Sequence, residues 1–139
     1  MIQYLFDTDH LTLFERGHPP LVARVAELPT LSLAVSAISV EEALRGRLGY
    51  LGRLLDNSSR QRGYALLVGT VRLLNQLPIV LYDQVSESQY QQLRTLRRRI
   101  GTQDLRIAAV ALANDLTLLT RNRADFSQVP GLRIEDWSV

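Results

Sequence analysis

The sequence predicts an α/β fold: a mostly parallel central sheet of four to five strands, with helices on both faces. Three observations lead there. Short apolar runs suited to strands alternate with segments of helical period along the whole chain. The alanine-rich stretch 107–113, followed at once by the apolar run 116–120, suits a helix lying close behind a strand. Acids stand where strands are expected to end, and open parallel sheets bind ligands at the carboxyl ends of their strands.

The elements follow in order. Residues 2–6 are too short an apolar run for a helix and read as a buried strand, ending in Asp7-Thr8-Asp9-His10. Leu11, Leu13 and Phe14 begin a short helix stopped by Gly17-His18-Pro19-Pro20. Residues 21–28 have a helical period closed by Pro29, and 31–38 are compatible with a strand. Ser39 is the expected N-cap of the next helix, with Glu42 at its third position, where a capping box is the purely structural account. Residues 45–63, rich in Arg, Gly, Ser and Asn, read as helix end and linking loop. A helical period resumes over 64–77 and ends at Pro78; 79–82 is a third strand, ending at Asp83. Residues 86–99 read as a polar helix with a cationic end at Arg94, Arg97, Arg98 and Arg99. Thr102 and Gln103 open the alanine-rich helix, with Asp104 in its first turn, where the helix dipole favours an acid. After a turn at Asn114-Asp115 comes the strand at 116–120. A short turn then carries Asp125-Phe126, and Leu132, Ile134 and Trp137 suggest a last edge strand.

At 139 residues, 46% of them hydrophobic, residues 1–139 are expected to form one globular domain. The chain has no Cys, so disulfides, thiolate nucleophiles and zinc–thiolate sites are excluded. All 16 of its basic residues are Arg, so Schiff-base lysines and lysine phosphate clamps are excluded too. Arginine also suits planar, bidentate recognition of phosphates and carboxylates, although a compositional bias is the simpler cause of the imbalance itself. The longest uncharged run, residues 28–40, is too short to span a bilayer, and the first residues read as a strand rather than a leader. A cytoplasmic protein without membrane contact is expected.

If the strands are neighbours, Asp7, Glu42 and Asp104 gather at one edge of the sheet, with Asn122 and Asp125 close by. Carboxylates ~4 Å apart repel by about 1 kcal/mol per pair in water and about 4 kcal/mol at a protein-surface dielectric. Such a cluster must take up protons or hold a cation, and hard oxygen ligands favour Mg2+ or Mn2+. That chemistry suits hydrolysis of a phosphodiester. Each acid has a bland account of its own: turn former for Asp7, cap for Glu42, dipole partner for Asp104. Glu41 reads as a solvated helix residue. His10 and His18 have no partner at metal-ligand spacing and read as structural.

Four blocks resemble the PIN-domain ribonucleases of the VapC toxin type. They are Tyr4-Leu5-Phe6-Asp7-Thr8-Asp9-His10-Leu11, Ser39-Val40-Glu41-Glu42-Ala43-Leu44-Arg45-Gly46, Ile100-Gly101-Thr102-Gln103-Asp104-Leu105-Arg106-Ile107-Ala108-Ala109 and Leu119-Thr120-Arg121-Asn122-Arg123-Ala124-Asp125-Phe126. The closing Val129-Pro130-Gly131-Leu132 and Trp137 fit as well. The resemblance implies a three-layer α/β/α sandwich and a Mg2+- or Mn2+-dependent endoribonuclease, the toxin of a toxin–antitoxin pair. It implies Asp7, Glu42 and Asp104 as catalytic, metal-holding acids; Glu42 is preferred to Glu41 because the family's acid stands four residues before the glycine, here Gly46. Thr120 is implied as a ligand-orienting hydroxyl near Asp7. The implied partners are a cognate antitoxin, an RNA substrate such as tRNA, and a second copy of the chain.

Two positions depart from the family pattern. Asp9 stands where many members have Asn, and Asn122 stands where a fourth acid often follows Thr-Arg. Asp125 either fills that fourth place or caps its turn. For the arginines, Arg94, Arg97 and Arg98 would share one helical face, and with Arg106 and Arg121 they are candidates to meet RNA phosphates, against the plain alternative of a solvated face.

Two other readings compete. Phe6-Asp7-Thr8-Asp9 also resembles the nucleophile loop of haloacid-dehalogenase-like phosphatases, with Asp7 phosphorylated and Asp9 as acid and base. A catalytically silent module that grips RNA or a partner is the other, supported by Asn122.

Overall fold

The computed structural model describes residues 1–139. Five strands form one parallel sheet: β1 (Tyr4–Phe6), β2 (Leu33–Ser36), β3 (Ile79–Val80), β4 (Thr117–Leu119) and β5 (Ile134–Glu135), in the order β3-β2-β1-β4-β5. The helices are α1 (Thr8–Glu15), α2 (Pro19–Ala26), α3 (Ala37–Gly52), α4 (Asn57–Leu74), α5 (Gln84–Leu93), α6 (Thr102–Ala113) and the short α7 (Arg123–Phe126), with a 3-10 turn at Arg94–Leu96.

The layering follows from the strand period of two. Leu5 pairs in register with Ala34 and Leu118, and all three join one core with Leu105, Ile107–Ala111 of α6 and Tyr90 and Leu93 of α5. The next residues along, Phe6, Val35 and Leu119, are also in register and face the opposite core with Leu11 of α1, Leu21 of α2, Leu74 of α4 and Trp137. One residue of register thus sends each strand's side chains to opposite layers. Ala108, Ala109 and Ala111 are fully buried, so α6 approaches the sheet as closely as its small side chains suggest. Asp115 takes the positive φ of 54° that turns α6 into β4, a conformation Asp tolerates better than most residues.

Several sequence expectations need correction. The strand expected over 31–38 is only Leu33–Ser36, and Ser36, not Ser39, caps α3 by accepting the Ser39 amide at 3.2 Å. Glu42 therefore lies well inside α3 rather than at its third position, which removes its capping account. Residues 45–63 do hold a helix end and a link, but the link is only residues 53–56: α3 runs to Gly52 and α4 starts at Asn57, capped by Asp56. Gly, Ser and Asn lower helix propensity, but the packing of α3 against α4 overrides it. There Gly63 comes so close to Leu51 and Leu54 that a Cβ would sit 2.7 Å from Leu51 Cδ2 and 2.8 Å from Leu54 Cδ1. The helix expected over 86–99 starts earlier, after the Asp83 cap, and ends at Leu93. Arg94, Arg97 and Arg98 thus lie in and beyond a 3-10 turn and do not share an α-helical face.

Candidate functional site

All five strands run parallel, so the segments leaving β1, β2 and β4 emerge at one edge of the sheet. Asp7 follows β1, Ser36 leads from β2 into α3, and Thr120 follows β4. Beside them lies an open pocket of about 450 Å³ lined by Asp7, Thr8, Asp9, Glu42, Asp104, Arg121, Asn122 and Phe126. Asp7, Glu42 and Asp104, separated by up to 97 positions, meet there.

Each acid is held differently. Asp7 is the N-cap of α1: its Oδ1 accepts the His10 amide at 2.7 Å, and the residue is 6% exposed. Asp7 thus caps a helix rather than forming a turn, and its carboxylate also faces the pocket. Glu42 is held by Thr8, whose hydroxyl donates to Glu42 Oε1 at 2.6 Å and lies 3.0 Å from Ser39 Oγ. Glu41 is an exposed helix residue, as expected, which also pairs with Arg45 and accepts from Gln103 Nε2 at 2.9 Å. Asp104 lies in the first turn of α6, whose N-cap Gly101 offers no side chain. Burial, and then the charges of Asp7, Glu42 and Asp125, push the Asp104 carboxyl up to about 6. A half-buried carboxyl raised by three like charges is what a cation would relieve, and the donor set is all hard oxygen. The residues present therefore fit a hard divalent ion.

The remaining candidates divide. Asn122 lines the pocket and caps α7, accepting the Asp125 amide and donating from Nδ2 to Asp125 Oδ2 at 2.9 Å. Asp125 is thereby bound to Asn122 and reaches the site through its charge on Asp104. Thr120 is fully buried, and its hydroxyl oxygen accepts the Asn122 amide at 2.9 Å, so it shapes the turn that carries Asn122. Asp9 and Arg121 form a two-pronged pair at the pocket, 2.7 and 2.8 Å. The Arg121 hydrogen bond holds the Asp9 carboxyl below its usual range, which leaves it ill suited to carry a proton as a phosphatase acid. Arg106 bonds Gln103 at 2.8 Å and lies 5.1 Å over the Tyr90 ring, while Arg94, Arg97 and Arg98 are exposed.

Sequence reasoning missed Thr8 as a site residue. Its signal was available: Ser39 and Glu42 stand three residues apart on one helical face, and a hydroxyl directly after Asp7 is placed to reach both.

Known proteins resemble this chain over nearly its whole length. The PIN domain family matches residues 4–132. The tRNA(fMet)-specific endonuclease VapC of Salmonella typhimurium is 26% identical, covering 99% of this chain and 99% of that protein. Ribonuclease VapC1 of Haemophilus influenzae strain R2866 is 28% identical, covering 97% and 98%. The crystal structure of DNA-bound VapBC from Salmonella typhimurium superposes with a TM-score of 0.78 at 26% identity, covering 99% of each chain.

Proposed function

This chain belongs to the PIN-domain family, and from that membership and its acidic pocket we propose that it is a metal-dependent endoribonuclease, the toxin of a toxin–antitoxin pair. The observation that carries the reading is Asp104: its carboxyl is raised to about 6 by burial and by the acids it meets, a state that a divalent cation reverses. Asp7, Glu42 and Asp104 are the residues assigned to hold the ion, taken as Mg2+ or Mn2+. When bound, such an ion neutralises charge on a phosphodiester and lowers the pKa of an attacking water.

The chain's own residues supply the rest. Thr8 orients Glu42, the His10 amide orients Asp7, and Asn122 presents a neutral amide at the fourth place. Arg121, aligned by Asp9, offers a fixed guanidinium at the pocket to a phosphate of the RNA backbone. The relatives named for RNA cleavage support RNA, tRNA included, as the substrate class, and the similarity to a solved toxin–antitoxin complex supports an antitoxin as the protein partner. No helix is long and apolar enough to cross a membrane. A cytoplasmic setting, a homodimer, a single domain over residues 1–139 and contacts of Arg94, Arg97, Arg98 and Arg106 with RNA belong to the same reading.

The test is cleavage of a tRNA pool by the purified chain. Cleavage that needs Mg2+ or Mn2+ and disappears in Asp104→Asn is expected. An Asp104→Asn variant cutting at the wild-type rate would overturn the assignment. Failure to bind Mn2+ or to cut any RNA would favour a silent binding module.

A further inference from the structure

Both histidines of the chain hold the segment that follows β5. His18 Nε2 lies 2.7 Å from the Ser138 carbonyl oxygen, and the His10 ring meets the Trp137 amide. His10 is fully buried in the first turn of α1. Its Nε2 lies 3.2 Å from the Trp137 nitrogen, and a backbone N–H can only donate. Nε2 must therefore accept, which assigns the ring's hydrogen to Nδ1. Nδ1 has no hydrogen-bond partner, although buried polar atoms in folded proteins nearly always have one. It lies 3.6 Å from Asp7 Oδ1, the oxygen that already accepts the His10 amide at 2.7 Å. That separation is too long for a formed hydrogen bond and short enough for a small turn of the carboxylate to close.

We infer that His10 is a positioning residue for Asp7: its Nδ1–H is held in reserve as a second donor to Oδ1, engaged when the carboxylate turns to take a divalent cation. Carboxylates that bind metals are commonly fixed by such outer hydrogen bonds. The element that sets the arrangement is the Trp137 amide, which lies far along the chain from the acids. Trp137 is itself fixed: it is buried, its ring centroid is 4.7 Å from that of Tyr4, the Arg24 guanidinium lies 4.6 Å from that centroid, and its Nε1 donates to Glu135 Oε1 at 3.0 Å. Asp136, the other acid near the ring, accepts from the Ser138 amide and hydroxyl at 2.8 and 2.6 Å through the same oxygen that lies 3.6 Å from Nε2. Direct ligation by His10 is the alternative raised by the proximity of Asp7, Asp9 and His10. It is disfavoured because Asp9 is engaged by Arg121 and the lone pair of the ring by Trp137.

The inference rests on the metal-site reading above, and its test separates the two. In 15N-labelled full-length protein, long-range proton–nitrogen spectra report which ring nitrogen carries hydrogen. The expected result is hydrogen on Nδ1, with the Nδ1–H resonance moving downfield on addition of Mg2+ and Nε2 little changed. Hydrogen on Nε2, or an Nδ1 resonance indifferent to Mg2+ in a protein that binds it, overturns the inference and leaves the nuclease reading intact. A wild-type protein that takes up no Mg2+ or Mn2+ overturns both. Two substitutions add a second readout, Mn2+ affinity by calorimetry. His10→Gln keeps an acceptor for Trp137 and loses the Nδ1 donor, so affinity should fall about 10–100-fold. His10→Asn restores a donor at the Nδ1 position and should recover most of that loss. Equal weakening in both variants indicates a merely structural histidine and overturns the inference.

Discussion

The Thr8 hydroxyl donates to Glu42 Oε1 at 2.6 Å, joining two residues 34 positions apart. Thr8 begins α1 and Glu42 lies inside α3, so this bond fixes one helix against the other at the mouth of the pocket. A hydrogen bond to a charged group contributes roughly 1.5–3 kcal/mol, enough to hold the glutamate in one rotamer.

Removing that hydroxyl should weaken the site without dismantling it. Thr8→Val is expected to lower Mn2+ affinity about 10-fold or more, the usual effect of losing an outer hydrogen bond to a ligand. Thr8→Ser should stay near wild type. Calorimetric titration of both variants checks this, and equal affinities across the three proteins would remove Thr8 from the site.

Asp104 makes stability depend on pH in an unusual direction. Its carboxyl stays protonated to about 6 in the fold but ionises near 3.8 when unfolded. Between those values the native state binds more protons than the unfolded state, so stability is lost as pH rises from about 4 to about 6. A two-unit shift corresponds to roughly 3 kcal/mol. Partial exposure and solvent screening reduce that to about 1–2 kcal/mol. Asp104→Asn in metal-free buffer should therefore be more stable than wild type by about 1–2 kcal/mol at pH 8 and gain little at pH 4. Urea midpoints at the two pH values decide it.

Mg2+ should stabilise the wild type and not Asp104→Asn. A ligand at 100 times its Kd adds about 2.7 kcal/mol to the state that binds it. Melting temperatures with and without Mg2+ measure the difference, and an equal upward shift in both proteins would place the ion elsewhere.

Arg121 and Asp9 form an exposed pair, each about half accessible, so its contribution to stability is small, below about 1 kcal/mol. Its weight should fall on RNA. Arg121→Gln is expected to raise KM and to lower the slope of log affinity against log salt by about one, as for the loss of one phosphate contact. Asp9→Asn should leave the melting temperature almost unchanged and give a smaller rise in KM.

The alanines of α6 should tolerate little. Ala109 is fully buried within the core shared with Leu5 and Leu118, and Ala109→Leu should cost about 1–3 kcal/mol through overpacking. Thermal unfolding tests this directly.

The sequence by itself determined the layering. Short apolar runs leading to Asp7 and Thr120, the helical periods between them and the small residues of α6 point to a parallel sheet between helices. It also singled out Asp7 after β1, Glu42 early in the helix after β2 and Asp104 at the start of the helix before β4, because acids at those places of a parallel sheet have one edge to share. It misplaced the start of α3 and made the link between α3 and α4 too long, because local propensity at Gly46, Gly49 and Gly52 carries no record of the neighbour that α4 provides. Only the tertiary structure decided which groups engage which. That Thr8 grips Glu42, that Arg121 clasps Asp9, and that the Trp137 amide meets the His10 ring all depend on atoms brought within about 3 Å from distant parts of the chain. Hydrogen bonds of that kind have no periodicity, and which pairs form is decided by the packed fold.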